Sequence, residues 1–153
     1  MTQENKELLL IDLSARFPYK IMVKVNDTQG IMDEIDIPNE RIFVSSLNPF
    51  LYGGAKAHWF AVNGDKIYPY LRPMSSMTEE ELKEYHKTFF YHERYDNERK
   101  TGQNCSITFE TYDWLNAHHF DYRKSYDLDR KEWLSMIEKG LALKAPEGMY
   151  ELK

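Results

Sequence analysis

Residues 19–25 read YKIMVKV, and this run decides that the first half of the chain is organised around a β-sheet. In an extended chain, Tyr19, Ile21, Val23 and Val25 fall on one face, and two lysines and a methionine fall on the other. Alternation with a period of two is typical of a strand that has one face in the core and one in solvent. The run therefore predicts a half-buried strand near the N-terminus.

The segments around this strand predict a helix and more strands. Residues 4–17 place leucines on one helical stripe, and Pro18 ends that helix. Further strands are predicted at 31–37, 41–47, 58–62 and 66–71. Because Asn63-Gly64 favours a type I′ turn, we expect the last two of these strands to pair as a tight hairpin. With no βαβ pattern in the sequence, the strands predict a small antiparallel sheet or a partial SH3-like or Sm-like barrel.

Two capping patterns predict helices in the second half of the chain. The side chains of Thr78 and Glu81 can each cover the other's backbone amide, which begins one helix. Thr108 can cap a second helix that runs to about His118, although residues 105–109 also alternate like a strand. The side chains expected to face inward from these helices are Leu82, Tyr85, His86, Phe89, Phe90, Phe109, Tyr112, Leu115 and His119.

A third helix is predicted from Asp127 to Lys139, with Asp127 as its cap and Gly140 just after its end. Its inward side chains would be Leu128, Leu134 and Ile137. Beyond this helix, residues 141–143 and 149–152 are compatible with a short terminal hairpin.

These elements together predict an α+β fold. Its parts are an N-terminal helix, a small antiparallel sheet or partial barrel, and a mainly helical second half. We expect residues 1–153 to form one compact domain, in which 1–77 (helix plus sheet) and 78–153 (helical) form sub-lobes.

Composition excludes several classes of protein. A formal net charge of −5 with both signs interspersed disfavours non-specific attraction to phosphate backbones or to anionic lipid. Cys105 is the single cysteine, so neither an intramolecular disulfide nor a four-cysteine zinc site can form within the chain. The N-terminus has no basic leader, and no window approaches the ~18 apolar residues that would cross a bilayer. We therefore expect a cytoplasmic protein with no membrane partner.

The sequence lacks the short motifs that are typical of common enzyme families. It contains no phosphate-binding loop, no dinucleotide fingerprint and no nucleophile elbow, so we expect no cofactor and assign no catalytic residue. Cys105 has no local catalytic signature and is expected to be a small buried apolar residue.

The run HHFDYR, from His118 to Arg123, concentrates imidazole and carboxylate groups, which are common metal ligands and proton carriers. An enzyme hypothesis therefore places acid-base or metal chemistry at His118, His119 and Asp121. It requires them to meet other ligands in one cleft, and the candidates are His86, His92 and Glu110.

The spacing within this run argues against a metal. Adjacent histidines on a helix point about 100° apart, whereas chelation by one helix face needs a spacing of three or four residues. We favour an interpretation in which one histidine packs or caps the helix end, the other is exposed, and no metal is bound. Arg123 is expected to pair with Asp121 or Asp113 and so fix a tight turn.

Aromatic residues raise a separate binding hypothesis. Five of them lie on or beside the predicted strands, namely Phe43, Tyr52, Trp59, Tyr68 and Tyr70. Exposed rings there could stack on bases or hold a peptide. We favour the interpretation that they fill the core on one face of the sheet, since aromatic side chains on strands usually pack.

Two longer motifs carry a resemblance to a known family. They are residues 68–81, YPYLRPMSSMTEEE, and residues 113–150, which begin DWLNAHHFDYR and end IEKGLALKAPEGMY. With them the chain resembles a family of uncharacterised proteins encoded by gut Bacteroidetes and by their phages and mobile elements, and the likeness covers nearly its whole length. Many members run from Asp-Tyr-Arg directly into Gly-Leu-Ile, whereas residues 124–136 intervene here. The resemblance implies no activity, cofactor or catalytic residue.

The resemblance implies a small accessory protein of a phage or mobile element, and such proteins commonly bind a macromolecule. The leading hypothesis is thus a non-enzymatic interaction or regulatory module that binds a protein through its β region. One alternative is the enzyme centred on His118, His119 and Asp121. A second alternative is nucleic-acid binding through the strand aromatics, which predicts a locally basic face.

Overall fold

The computed structural model describes residues 2–46, 57–92 and 104–150, and within them three helices are separated by groups of strands. The helices are α1 (Gln3–Arg16), α2 (Glu79–Lys87) and α3 (Phe109–Ala117). The strands are β1 (Met22–Val25), β2 (Thr28–Asp36), β3 (Arg41–Ser46), β4 (Ala57–Ala61), β5 (Ile67–Pro73), β6 (Phe90–His92), β7 (Asn104–Ser106), β8 (Phe120–Asp121), β9 (Lys124–Asp127), β10 (Glu132–Ser135) and β11 (Leu143–Lys144). Short 3-10 helices follow α1 and β5.

The main sheet has seven strands in the order β11-β5-β1-β2-β3-β4, with β8 also paired to β5. Each adjacent pair in the run β5-β1-β2-β3-β4 is antiparallel, whereas β11 and β8 run parallel to β5. The sheet is therefore mixed and larger than predicted, and it does not close into a barrel among the described strands. Because β8 and β11 belong to the second half of the chain, both halves contribute to it.

The predicted hairpin between residues 58–62 and 66–71 is wrong. Strand β4 pairs with β3 and β5 pairs with β1, so three strands separate them. Asn63 and Gly64 do not take the positive φ angles that a type I′ turn requires. The turn is closed by Asp65 instead, whose N–H donates to the Ala61 carbonyl (3.0 Å) and whose carboxylate accepts from the Ala61 N–H (3.0 Å).

The core lies on one side of this sheet. Ile21, Val23 and Val25 are buried, as the alternation in residues 19–25 predicts, although Tyr19 falls in a 3-10 helix. The other core residues come from β2 to β5, from α1 and from the segment after β10, and they are Leu9, Leu10, Leu13, Met32, Ile42, Val44, Phe60, Val62, Ile67, Leu71, Met136, Leu141 and Ala142. A Cβ on Gly30 would lie 2.5 Å from the Ser45 carbonyl oxygen, so glycine lets β2 and β3 approach there.

The prediction of a mainly helical second half is also wrong. Helices α2 and α3 begin at the capping boxes of Thr78 and Thr108, which confirms those two starts. Leu82, Phe109 and Tyr112 are exposed, however, rather than inward.

The predicted helix from Asp127 to Lys139 does not form, because the capping group makes a turn instead. The Asp127 carboxylate accepts hydrogen bonds from the amides of Asp129 (2.9 Å) and Arg130 (3.0 Å), and Lys131 has a φ of 55°. An aspartate binds the amides two and three residues ahead in a helix cap and in a β-turn alike. Here the chain reverses, and β9 and β10 form a separate two-stranded antiparallel sheet.

The terminal hairpin predicted from residues 141–143 and 149–152 is not found where those residues are described. Leu143 and Lys144 pair in parallel with Tyr70 and Leu71 of β5. The N–H of Ala145 donates to the Leu71 carbonyl (2.8 Å), which continues this pairing. Residues 151 and 152 lie outside the described part of the chain.

Candidate functional site

The β9–β10 hairpin has one packed side and one exposed side. Tyr126 lies directly opposite Trp133, and Ser125 lies opposite Leu134. Leu134 is buried, so the side that it shares with Ser125 faces the protein. The exposed side carries the Tyr126 and Trp133 rings, which meet edge to face with 5.7 Å between centroids.

Three large apolar side chains of this hairpin are exposed to solvent. Trp133 is 64% exposed, Tyr126 is 45% exposed, and Leu128 at the turn is 78% exposed. We call this set the hairpin face. Single exposed apolar residues are normal, but three of them on twelve residues of chain are unusual for a surface without a partner.

The base of the hairpin is fastened at both ends. Before β9, the Nε of Arg123 donates to Oδ1 of Asp12 (2.9 Å), whose other oxygen accepts from Arg16 (2.9 Å). After β10, the Asp121 carboxylate accepts from the amides of Met136 (3.1 Å) and Ile137 (3.0 Å). These bonds hold the hairpin in one orientation on the main body of the protein.

The run from His118 to Arg123, which we call the polar turn, is thus part of the scaffold. His119 has a φ of 61°, is buried, and stacks on Tyr150 with 3.8 Å between ring centroids. Burial, together with the positive charges of Arg16, His118 and Arg72, lowers the pKa of His119 to about 3. It is therefore neutral at physiological pH. Burial also raises the pKa of Asp121, against the opposing effect of its backbone hydrogen bonds.

His118 differs from its neighbour, because it lies at the surface side of the turn. Its Nδ1 is 2.8 Å from the Trp114 carbonyl oxygen, and its ring stacks on the Trp114 ring at 4.1 Å. Its Nε2 is 4.0 Å from a carboxylate oxygen of Glu84.

The predicted ion pair of Arg123 was wrong. Arg123 binds Asp12 on α1 rather than Asp121 or Asp113, so it joins two segments that are 111 residues apart. Arg16 is fully buried beside it and donates to the Phe120 carbonyl (2.6 Å). The polar turn consequently connects α1 to the hairpin and to the sheet.

A cleft of about 760 Å³ opens beside the polar turn, between α2, the end of β5 and residues 144–150. Two residues that line it, Arg72 and Glu81, are paired: the Arg72 guanidinium donates two hydrogen bonds of 2.7 Å each to the Glu81 carboxylate. The hydrogen bonds from Arg72 lower the pKa of Glu81 to about 2 despite its partial burial. His118 lines the cleft.

The members of the enzyme hypothesis do not converge in this cleft. Among the described residues that line it, neither His119, Asp121, His86 nor Glu110 is found. Within residues 2–46, 57–92 and 104–150, no group of three His, Cys, Asp or Glu side chains is arranged to hold a metal ion. The side chains of His92 and Cys105 lie outside what the structure describes.

The strand aromatics Phe43, Trp59, Tyr68 and Tyr70 share the side of the sheet that faces away from the core, as the strand registers show. Phe43 contacts Trp59 at 5.1 Å, and the guanidinium of Arg41 covers the Trp59 ring at 4.3 Å. These two rings and Tyr68 are half-buried, and Tyr70 is buried with its hydroxyl accepting from Gln29 (2.9 Å). Tyr52 lies outside the described residues.

Charges on this side of the sheet are mixed. Lys24 and Arg41 lie there with Glu34 and Asp36, and the Arg41 Nε donates to Asp36 at 3.0 Å. A single-sign basic stripe, as nucleic-acid binding would predict, is not formed by these four residues.

Sequence reasoning missed the hairpin face, because Leu128 was placed inside a helix and the two aromatic residues were not assigned a role. One signal could have found it. Tyr126 and Trp133 flank the charged turn residues Asp129, Arg130 and Lys131 at positions that become opposite each other if the chain reverses.

Within the described residues, no helix is both long and apolar enough to cross a bilayer. Comparison with known protein families, with curated proteins and with solved structures finds no match to this chain.

Proposed function

We propose that this protein is a non-enzymatic binding module that recognises another protein through the hairpin face. The observation that carries the proposal is the exposure of Tyr126, Leu128 and Trp133 on one fastened hairpin. Tryptophan and tyrosine are enriched among the few residues that contribute most of the binding energy of a protein interface, and these residues sit in well-packed pockets.

Fixed orientation of the hairpin supports the same proposal. A loop that must be ordered on binding loses affinity, whereas a hairpin held by Asp12 and Asp121 is already ordered. The Tyr126–Trp133 contact also restricts both rings before a partner arrives.

The chemistry of the partner follows from the charge of the hairpin. Residues 124–135 contain three basic and three acidic side chains, so the hairpin has no formal net charge. The partner that fits is a protein with an apolar groove, and its binding should depend weakly on salt. Nucleic-acid binding, by contrast, weakens steeply as salt rises.

The cellular context belongs to the proposal as well. The resemblance to proteins of gut Bacteroidetes and their phages supports an accessory protein that acts on a host or phage protein in the cytoplasm. The polar turn is a scaffold in this proposal, and it has no catalytic role.

The test is capture of partners by the tagged protein from a lysate of its native cell, at low and high salt and with nuclease. A partner of the hairpin face is retained by the wild type under all three conditions and is lost with Trp133→Ala and with Leu128→Ser. The matched control is Phe109→Ser, which changes a side chain that is 90% exposed on α3 and should retain the partner. Thermal unfolding of each variant checks that it is folded.

Two results would overturn the proposal. Retention that is equal in wild type, Trp133→Ala and Leu128→Ser would show that the hairpin face is not used. Loss of all retained material on nuclease treatment would replace a protein partner by a nucleic acid.

A further inference from the structure

Strand β4 lies at the end of the main sheet and has β3 on one side. The direction of its backbone groups can be read from one hydrogen bond. The N–H of Val62 donates to the Glu40 carbonyl (2.8 Å), and this pair continues the register of β3 and β4. Hydrogen-bonded pairs alternate along an antiparallel ladder, so Phe60 and His58 bond to β3. The N–H and C=O groups of Ala57, Trp59 and Ala61 therefore point away from β3.

Part of this outer edge is already used. The outward N–H and C=O of Ala61 both bond to Asp65. The structure gives the outward groups of Ala57 and Trp59 no partner among the described residues. Among the described residues, two consecutive outward positions of β4 thus have no bonded neighbour.

We infer that two copies of the chain pair along these edges, forming a dimer in which β4 lies antiparallel to β4 of the second copy. A two-fold axis through His58 places Ala57 opposite Trp59 of the second copy, and Trp59 opposite its Ala57. Each of these two pairs exchanges two backbone hydrogen bonds, so the ladder gains four. The large indole of Trp59 then lies beside the small methyl group of Ala57, which leaves room for it.

The side chains of β4 favour a second copy of the same strand. Natural edge strands commonly carry charges that prevent pairing, and lysine is the most frequent. Residues 57–61 read AHWFA and carry no formal charge at pH 7, and Lys56 just before them lies outside the described residues. Across these five residues, two such strands meet without like formal charges.

The sheet also favours pairing of like edges. A head-to-tail arrangement would join β4 to the opposite edge, which in the described residues is made by the two-residue strands β11 and β8. Five-residue β4 offers a longer ladder to its own copy, and an interface of like edges closes after two subunits. The dimer does not use the hairpin face, so it is independent of the proposed function.

Mass in solution tests the dimer, by sedimentation at tens of micromolar protein. The wild type should have twice the 18.3 kDa mass of one chain. Ala57→Pro removes an outward N–H and leaves the bonds of β4 to β3 in place, so it should weaken the dimer at least tenfold. The matched control Ala57→Ser keeps the N–H and should remain a dimer. A wild type that is monomeric, or an Ala57→Pro protein that is fully dimeric, overturns the inference.

Cross-linking tests the register. In a Cys105→Ser background, His58→Cys places two thiols opposite each other at the two-fold axis, where Cβ atoms of directly opposite residues are about 4.5–5.5 Å apart. Mild oxidation should then give a disulfide-linked dimer. Ala61→Cys is the control, since its two copies would be about 20 Å apart along the strands. Equal cross-linking of both variants would show a different interface. A monomeric Trp133→Ala protein would show the same.

Discussion

The main sheet and the β9–β10 hairpin contain the same local pair, a tryptophan opposite another aromatic residue on the neighbouring strand. In the sheet, Trp59 contacts Phe43 at 5.1 Å, is covered by Arg41, and is half-buried. In the hairpin, Trp133 contacts Tyr126 at 5.7 Å and is 64% exposed. The strand pairing is alike, and the surroundings differ. A cross-strand aromatic pair that neighbouring residues cover therefore stabilises the fold, whereas the same pair left exposed can bind a partner.

The largest expected effect comes from removing the bonds that hold the hairpin on the main body. Asp12→Asn leaves the fully buried guanidinium of Arg16 without its carboxylate and removes the ionic partner of Arg123. We expect a loss of about 3–5 kcal/mol in the free energy of unfolding, because a buried charge remains unpaired. Urea unfolding measures this loss. Hydrogen exchange should also show faster exchange in β9 and β10.

The matched control for that change is Asp36→Asn, which removes the carboxylate of a partly exposed ion pair with Arg41. It should change stability little, since water screens such pairs. Equal losses for the two variants would contradict the scaffold role of Asp12.

Truncation of each tryptophan should lower stability by different amounts in the two regions. Trp59→Ala should lower the free energy of unfolding by roughly 2 kcal/mol, less than the 3–5 kcal/mol that a fully buried tryptophan contributes. Trp133→Ala should lower it by less than about 0.5 kcal/mol, because its ring is mostly in solvent. Urea unfolding of both variants at one pH gives the two values. A larger loss for Trp133→Ala would make the hairpin face part of the core.

A further expected effect is a pH dependence of stability that arises at the junction of the two regions. The pKa of His119 is lowered from 6.5 to about 3 in the folded protein, mainly by burial. Between these values the unfolded chain binds a proton that the folded protein does not bind, so stability is lost as pH falls from 6.5 toward 3. The slope from this one group is at most about 1.4 kcal/mol per pH unit.

The measurement is the free energy of unfolding at several pH values between 6.5 and 5, where Glu81, with a pKa of about 2, stays ionised in the folded state. His119→Asn keeps a residue type that tolerates a positive φ and should flatten the slope. Identical slopes in wild type and variant would contradict a lowered pKa of His119 in the folded protein.

Local features of the fold were predictable from the sequence. The strand at residues 22–25 follows from its alternation, and α2 and α3 begin at capping residues whose partners are three positions away. The pairing of β4 with β3, and of β5 with β1, was not predictable, since any two antiparallel strands can exchange the same hydrogen bonds. The helix predicted from Asp127 was wrong for a similar reason, because the Asp127 carboxylate binds the same amides in a turn as in a helix cap.

The hairpin face was not predicted from the sequence, and the polar turn was predicted only in part. The polar turn was identified as a cluster, but the favoured interpretation, in which one histidine packs or caps the helix end and the other is exposed, fits only in part. His119 is buried, and His118 caps α3, stacks on Trp114 and is half-buried. The connection of the polar turn to Asp12 could not be foreseen, since 111 residues separate Arg123 from that carboxylate. The exposure of Trp133 likewise depends on which residues cover a strand, and a sequence pattern does not contain that information.

The positions of β1 to β5, the starts of α2 and α3, and the absence of an intramolecular disulfide follow from the sequence alone. These depend on side chains within a few residues of each other, where the chain geometry is fixed. The tertiary structure decided the strand order, the parallel pairing of β11 with β5, the partner of Arg123 and the exposure of the hairpin face. Each of these is a contact or a lack of cover between distant segments, and burial exists only once the whole chain has packed.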